Sequence, residues 1–237
     1  ERVNERTTQL AAANRELHAN KEYLLKTLHE KETLLKEVHH RVKNNLQIIH
    51  SMLNLQLSYI KDEQARASFR ESQDRIYSMA LIHEKLYKSE SLVKIDLAEY
   101  IRSLTANLFL SYGVNERTIR PEIHVEEISL NINTLIPCAL IVNELVSNAL
   151  KHAFPDAARL VDETEAVGEL RIDLRRVNNR QFILSVSDNG IGLPKGFDIE
   201  SCESLGLKLV KVLAKQLKGT ITFRTNGRTE FAITFSE

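Results

Sequence analysis

Two adjacent histidines lie in a polar stretch of an otherwise helical pattern, where residues 37–47 read EVHHRVKNNLQ. At helical spacing, Glu37 lies one turn before His40 and Asn44 lies one turn after it. These polar neighbours are unusual for a helix whose only role is packing. An imidazole near neutral pH can act as a base, a metal ligand or a nucleophile. His40 is therefore a candidate reactive residue, and the rest of the chain must indicate its chemistry.

A second polar set lies within the strongly apolar segment that follows residue 137. Glu144, Asn148 and Lys151 are four and three residues apart, so they share one face of a helix, and His152 comes next. A carboxylate, a carboxamide oxygen and an ammonium group on one face could hold Mg²⁺ and the phosphates that it bridges. A helix with a solvated polar stripe is an equally good interpretation of these residues taken alone.

A glycine-containing segment comes after a predicted strand, where residues 187–194 read SDNGIGLP. Asp188 ends the strand and could accept a hydrogen bond from an exocyclic amine such as adenine N6. Gly190 and Gly192 allow the backbone to turn and to approach a ligand closely. For an isolated pattern of this kind, a glycine-rich turn that ends a strand is the better interpretation.

Two weaker signals follow toward the C-terminus. Gly206 and Leu207 begin a predicted helix, where free backbone N–H groups and the positive end of the helix favour phosphate. Thr229 follows a Gly-Arg turn at the point where a strand pair would close the fold.

The order of these elements resembles the Bergerat ATP-binding fold, which gyrases, Hsp90-type chaperones, MutL proteins and sensor histidine kinases share. The resemblance covers roughly residues 95–237 and implies an ATP and Mg²⁺ site. It implies that Asn148 coordinates Mg²⁺, that Lys151 contacts phosphate and that Asp188 binds adenine, under a lid formed by residues 193–204. Glu144 falls where many histidine kinases have Asn and where hydrolysing relatives have a water-activating Glu, so its role stays open.

The histidine stretch itself closely resembles the phosphoacceptor box of the HisKA_2 histidine kinases, which are related to the HWE kinases. Residues 35–47 carry this resemblance, and the acceptor in the pattern is the His before Arg, here His40. The implied protein is a two-component sensor kinase that phosphorylates His40 from Mg-ATP and passes the phosphoryl group to an Asp of a response regulator.

His39 is the alternative acceptor, and the groups around His40 allow two interpretations. Commoner histidine kinases have an acidic residue directly after the histidine, and this chain has Arg41 there. We therefore predict that Glu37 holds the imidazole and that Asn44 orients a phosphoryl group or a water. A surface ion pair between Glu37 and Arg41 is the other interpretation.

The elements that must position these residues begin with a long helical hairpin. Residues 1–60 contain no Gly and no Pro, and apolar residues recur seven apart at Val3, Leu10, Leu17 and Leu24. A turn at residues 58–63 and a second helix over about 64–87 complete the hairpin, with His83 as a satisfied residue of its apolar side. We expect homodimerisation into a four-helix bundle, because one hairpin alone exposes too much apolar surface.

The remaining sequence predicts an α/β sandwich with a mixed sheet covered by helices on one face, so the whole chain is α+β. The predicted helices cover residues 97–110, Pro137 to Lys151 and 205–217. The predicted strands cover 119–125, 170–177, 182–186, 220–224 and 230–235, with Asn178-Asn179 as a turn. The predicted domains are a coiled-coil signalling helix (1–36), the phosphoacceptor hairpin (37–90) and the ATP-binding domain (91–237).

Composition excludes little but agrees with this interpretation. Lys and Arg total 32, as do Asp and Glu, so the net charge gives no sign of nucleic-acid binding. Two separated cysteines fit a reducing compartment, and we expect this portion to be cytoplasmic and to follow a sensor domain absent from the chain. The alternatives are a Bergerat-type ATPase that depends on Glu144 and a nucleotide-regulated binding module without kinase activity.

Overall fold

A computed structural model describes residues 2–88, 97–128, 130–154, 168–178, 180–194, 196–202 and 204–236, without the side chains of residues 85–88. Its N-terminal part is one uninterrupted helix, α1 (Arg2–Leu57), none of whose residues is buried. The absence of Gly and Pro allows this length. The leucines at seven-residue spacing are exposed, Leu10 by 72% and Leu17 by 67%. The predicted apolar seam is therefore present on α1 without a covering element in the described chain.

The second helix, α2 (Glu63–Lys88), runs antiparallel to the C-terminal half of α1 and confirms the predicted hairpin. Its start is fixed by Asp62, whose Oδ2 accepts the N–H of Ala65 at 2.6 Å. Lys43 Nζ lies 3.6 Å from Glu84 Oε2, and the Gln73 side-chain amide reaches the carbonyl of His50 at 3.5 Å. The earlier residue of α1 thus contacts the later residue of α2, as an antiparallel pair of helices requires.

A five-stranded sheet forms the centre of the C-terminal part, in the order β1-β2-β3-β5-β4. Its strands are β1 (Ile119–Val125), β2 (Gly168–Arg176), β3 (Gln181–Asp188), β4 (Thr220–Arg224) and β5 (Thr229–Ser236). The β1–β2 pair is parallel and the other pairs are antiparallel. The predicted mixed sheet is confirmed. Asn179 lies outside the described residues, so the predicted turn between β2 and β3 is described only in part.

Three helices cover one face of this sheet: α3 (Leu97–Tyr112), α4 (Ile132–Asn148) and α5 (Leu205–Gln216). The core between them and the sheet contains fully buried side chains such as Leu104, Ile141 and Ile172. The opposite face of the sheet is polar, and Arg171 of β2 pairs there with Glu122 of β1 at 2.6 Å. The sandwich therefore has one buried face and one solvated face, as predicted.

The helix that carries the second polar set starts earlier than predicted. We expected Pro137 to open it, because proline favours the first turn of a helix. Instead α4 begins at Ile132, Asn131 caps it by accepting the N–H of Thr134 at 3.1 Å, and Pro137 lies inside. A π-helical turn, Ala149–Ala153, extends α4. Among the described residues, Ile132–Ala153 is long and apolar enough to cross a membrane, but 78% of the tested segment is buried inside the fold.

The predicted boundary between hairpin and ATP-binding domain falls at residue 90, outside the described residues. The two parts nevertheless contact each other, because α2 packs against both α3 and α4. Tyr100 of α3 is fully buried, and its hydroxyl donates to the carbonyl of Ser78 on α2 at 3.2 Å. Helices α3 and α4 thus pack directly on the hairpin that carries the histidines.

Candidate active site

His40 lies half-buried on α1, and its sequence neighbours form an ion pair on the helix surface. Arg41 Nε donates to Glu37 Oε1 at 2.7 Å, and the two side chains are 75% and 52% exposed. The ion-pair interpretation of Glu37 is therefore present in the structure, where such a pair contributes about 0.3 kcal/mol. The orienting roles predicted for Glu37 and for Asn44, which is exposed one turn further on, stay predictions.

The neighbouring histidine joins the two helices of the hairpin. His39 Nδ1 lies 3.0 Å from His83 Nδ1, so one of these nitrogens carries a proton and the other accepts it in a hydrogen bond. Burial lowers the pKa of both imidazoles, and the charge of His39 lowers that of His83 further. His83 is thus a satisfied residue of α2, as predicted, and His39, the alternative acceptor, is its partner.

A cavity of about 530 Å³ lies between α4 with its π-helical turn, the end of β3, residues 191–204 and β5. Six of the ten residues predicted to bind nucleotide line it: Asn148, His152, Asp188, Gly192, Leu207 and Thr229. Residues distant in sequence meet here because β3 and β5 pair in a register that places Asp188 opposite Thr229. The structure therefore brings most of the predicted ATP site together in one place.

Asp188 is the buried carboxylate of this cavity. It is 7% exposed at the end of β3, and its Oδ1 accepts the N–H of Gly190 at 3.1 Å. Burial raises the pKa of Asp188, whereas that hydrogen bond and the charge of Arg228 lower it. A fixed, desolvated acceptor of this kind suits an exocyclic amine of a ligand.

Gly190 itself does not line the cavity, and its role is to allow close packing. A Cβ at this position would lie 2.2 Å from the carbonyl oxygen of Ala153. The next residue, Ile191, donates its N–H to the same oxygen at 3.0 Å. Only glycine therefore lets the end of β3 rest on the π-helical turn, and this contact sets the position of Asp188 relative to His152.

The predicted lid and the start of α5 form another wall of the cavity. Phe197 and Cys202 line it, and the Phe197 ring packs edge-on against Phe223 with 5.4 Å between centroids. Lys195 and Glu203 of the predicted lid lie outside the described residues. The Ser204 hydroxyl accepts the N–H of Leu207 at 3.3 Å. The Leu207 N–H predicted to be free for phosphate is thus bonded to the helix cap.

Glu144 and Lys151 do not line the cavity, because both side chains are bound to the hairpin. Arg75 of α2 makes a two-point ion pair with Glu144, with Nε–Oε1 at 2.6 Å and Nη2–Oε2 at 2.8 Å. Glu71, one turn earlier on α2, lies 2.5 Å from Lys151 Nζ. The predicted contact between Lys151 and phosphate stays a prediction.

Gly206, at the start of α5, lies beside both Glu144 and Asn148. A Cβ at Gly206 would lie 2.7 Å from Glu144 Oε2 and 3.6 Å from Asn148 Oδ1. The start of α5 thus approaches both polar residues of α4 so closely that a side chain would not fit without a shift. Gly206 is accordingly a packing residue, and the Glu144 carboxylate lies beside Asn148 although it points to Arg75.

Several residues of the site were not found from the sequence. Apolar walls of the cavity come from buried positions: Leu145, Ala149, Val186 and Phe231. These residues look like ordinary core in sequence, since nothing but their position in the fold marks them. Glu71 and Arg75 had one available signal, because they form a charged pair four residues apart on α2. The assembled site is an apolar slot with one buried carboxylate, which suits a planar base carrying an amine.

Comparison with known proteins identifies both halves of the chain. Residues 37–112 match the family described as "Histidine kinase". Residues 135–237 match the family described as "Histidine kinase-, DNA gyrase B-, and HSP90-like ATPase". The chain belongs to the sensor histidine kinases. The match to the ATPase family implies ATP binding by the kinase domain, and its range contains the whole lining of the cavity.

Individual relatives agree with this assignment. The chain is 32% identical over 200 residues to the sensor histidine kinase PdtaS of Mycobacterium tuberculosis, covering 84% of this chain and 38% of that protein. It is 25% identical to blue-light-activated histidine kinase 2 of Erythrobacter litoralis, covering 81% and 54%. The chain thus spans well under two thirds of the curated kinases that it matches.

The fold agrees with a solved kinase domain. The histidine kinase domain of Erythrobacter litoralis EL346 superposes with a TM-score of 0.61 at 20% identity, covering 87% of this chain and 94% of that one. At this identity the likeness supports the fold. The order of hairpin and α/β sandwich in this chain is therefore that of a known histidine kinase domain.

Proposed function

We propose that this chain is the catalytic core of a two-component sensor kinase, which transfers the γ-phosphoryl group of ATP to His40. The observation that carries the proposal is the cavity, where buried Asp188 and apolar walls suit adenine. It occurs in the same chain as a hairpin of the histidine kinase family that contains His40. A nucleotide site and a phosphoryl acceptor together favour a kinase over an ATPase or a binding module.

In the proposed reaction, a ring nitrogen of neutral His40 attacks the γ-phosphorus of ATP. The bond between this phosphorus and the oxygen bridging to the β-phosphate breaks, and ADP leaves with that oxygen. The other ring nitrogen gives up its proton, for which Glu37 is our candidate acceptor. Asn44 would contact the phosphoryl group after transfer. The phosphoryl group then passes to an aspartate carboxylate on a response regulator, which restores His40.

The residues on α4 fit a magnesium ion accompanying the nucleotide. Mg²⁺ prefers oxygen ligands and retains several waters, so one protein oxygen such as Asn148 Oδ1 meets its needs. Asn148 lines the cavity, and among the described residues no cluster of three His, Cys, Asp or Glu forms a competing metal site. When bound, the ion would neutralise charge on the triphosphate. Lys151 would add to this neutralisation once it leaves Glu71.

We propose a homodimer formed through the hairpin and α1. The support is the exposed row of leucines on α1, together with membership of a family in which dimers are general. The proposed partners are a response-regulator receiver domain and an upstream sensor domain that supplies the signal. We place this portion in the cytoplasm, where its proposed substrate ATP is found.

The test is incubation of the protein with ATP labelled at the γ-phosphate, comparing wild type with His40→Gln. We expect His40→Gln to remove acid-labile, base-stable label while ATP binding, measured by calorimetry, is retained. His50→Gln is the matched control, because His50 is a half-buried histidine of the same helix, and it should label normally.

His39→Gln separates the two adjacent histidines. Label that persists in His40→Gln and disappears in His39→Gln would move the acceptor to His39. Label that persists in both variants, or a wild type that does not bind Mg-ATP, would contradict the proposed kinase. An Asp188→Asn variant should lose preference for ATP over GTP if Asp188 accepts a hydrogen bond from the adenine amine.

A further inference from the structure

The two-point ion pair between Arg75 and Glu144 joins the hairpin to the ATP-binding domain. The Arg75 and Glu144 side chains are only 14% and 4% exposed. Hydrogen bonding to Glu144 raises the pKa of Arg75, and Glu71 adds a second negative charge beside it at 3.4 Å. A buried pair with two parallel hydrogen bonds is far more persistent than a surface pair.

The position of Glu144 matters because it lies one helical turn before Asn148, which lines the cavity. Its Oε2 lies against Gly206, which also lies against Asn148, the residue proposed to hold the metal. A carboxylate beside bound ATP is the group that could take a proton from water. The water oxygen would then attack the γ-phosphorus, the bond to the bridging oxygen would break, ADP would leave, and Glu144 would hold the proton until it is released.

Arg75 opposes this reaction in the structure. Both Glu144 oxygens accept hydrogen bonds from the guanidinium, and Oε1 also lies 3.3 Å from Nδ2 of Asn143. Both carboxylate oxygens are thus held by donors of the protein and are not directed at a water in the cavity. The pair also brings the positive charge from the hairpin, which is the part of the chain that contains His40.

We propose that Arg75 is a positioning residue that withholds Glu144 from water, so that the kinase does not hydrolyse its ATP. The inference rests on the proposed ATP-dependent function. It assigns this core a latent ATPase activity, which appears when the hairpin no longer binds Glu144. The arginine thereby favours the histidine as acceptor of the phosphoryl group.

The test measures release of inorganic phosphate in a His40→Gln background, where phosphohistidine cannot contribute. Arg75→Gln should raise the rate at least about tenfold, a fraction of the roughly 10²–10⁴-fold that a positioned base supplies. The double variant Arg75→Gln/Glu144→Gln should return to the starting rate. Affinity for a non-hydrolysable ATP analogue, measured by calorimetry, should stay within about threefold in all variants, since none of these residues lines the cavity.

Arg66→Gln is the matched control. It breaks an arginine–glutamate pair on the same helix, Arg66 to Glu63 at 2.9 Å, in which Glu63 is 84% exposed. It should leave phosphate release unchanged. Arg75→Lys keeps the charge but has no planar two-point donor, so it should give a smaller increase and serves if Arg75→Gln does not fold.

Two results would overturn the inference. One is unchanged phosphate release from folded Arg75→Gln or Arg75→Lys protein that still binds the analogue. The other is increased release that persists when Glu144 is also replaced. Neither result affects the proposed kinase activity, which labelling of His40 tests separately. A wild type that does not bind the analogue would overturn both the kinase proposal and the role of Arg75.

Discussion

Replacing Asp74 with Asn tests the buried polar junction where α2 meets α3 and α4. Asp74 is 5% exposed, and the hydroxyl of Ser111 donates to its Oδ2 at 3.2 Å. Burial raises the pKa of Asp74 to about 6, although Ser111, Arg70 and Lys151 act against this shift. Asn mimics the protonated carboxyl in size and retains an oxygen that can accept from Ser111.

The size of the effect follows from this pKa. Asp74 has a reference pKa of 3.8 and a folded-state pKa of about 6, a difference of about two units. At 1.36 kcal/mol per unit, the ionised carboxyl costs the folded state about 3 kcal/mol. Between these pKa values the folded state binds more protons than the unfolded chain, so stability falls as pH rises. Asp74→Asn does not titrate and should escape this loss.

The assay is denaturant unfolding, followed by circular dichroism, of both proteins across about pH 4 to 8. We expect the free energy of unfolding of Asp74→Asn minus that of wild type to rise by about 2.5 kcal/mol over this range, since part of the effect is already present at pH 4, and to level off above about pH 7. Asp198→Asn is the control, because backbone N–H groups of Glu200 and Ser201 lower the pKa of Asp198. Its difference should stay nearly constant across this range, because a lowered pKa places the stability change of Asp198 below its ordinary value of 3.8. A difference for Asp74→Asn that is independent of pH would refute the reasoning.

Two further substitutions test the local packing of the site. Gly190→Ala should lower stability by about 2 kcal/mol, because the new Cβ would lie 2.2 Å from the Ala153 carbonyl oxygen. Thermal unfolding measures this loss. Gly192→Ala is the matched control, because a Cβ at Gly192 has nothing within 4 Å and tests only the backbone strain of a positive φ. Ser204→Ala should cost about 1 kcal/mol by removing the cap of α5, with Ser204→Asn restoring most of it. Unchanged melting temperatures for Gly190→Ala and Ser204→Ala would contradict the packing and capping described.

Much of the fold was predictable because local pattern and final structure agree. β1 and β4 have the predicted bounds, and the absence of Gly and Pro correctly predicted the long helix α1. The start of α4 was predicted wrongly, because proline favours the first turn of a helix but Asn131, six residues before Pro137, is the better cap. The Ser204 cap that uses the Leu207 N–H followed the same rule and could have been predicted.

The functional site was likewise predictable only in part. Polar residues with unusual spacing, such as Asn148 and Asp188, stand out in a sequence and were found. The ion pairs of Arg75 and Glu71 join positions 69 and 80 residues apart, and no local pattern specifies such partners. Their existence depends on how the hairpin packs on α4. Sequence therefore indicated what the pocket contains but not what restrains Glu144 and Lys151.

The continuous helix α1 has a mechanical consequence. Its 56 residues make a rod about 84 Å long, at 1.5 Å per residue. Because each residue also turns the rod by about 100°, one inserted residue moves the far end by only about 1.5 Å but turns it by more than a quarter of a circle. Seven inserted residues add about 10 Å and turn it by only about 20°. A torque applied to the exposed half of α1 would therefore rotate His40 about the helix axis. A change in helix length alters this rotation far more than it alters the distance along the axis.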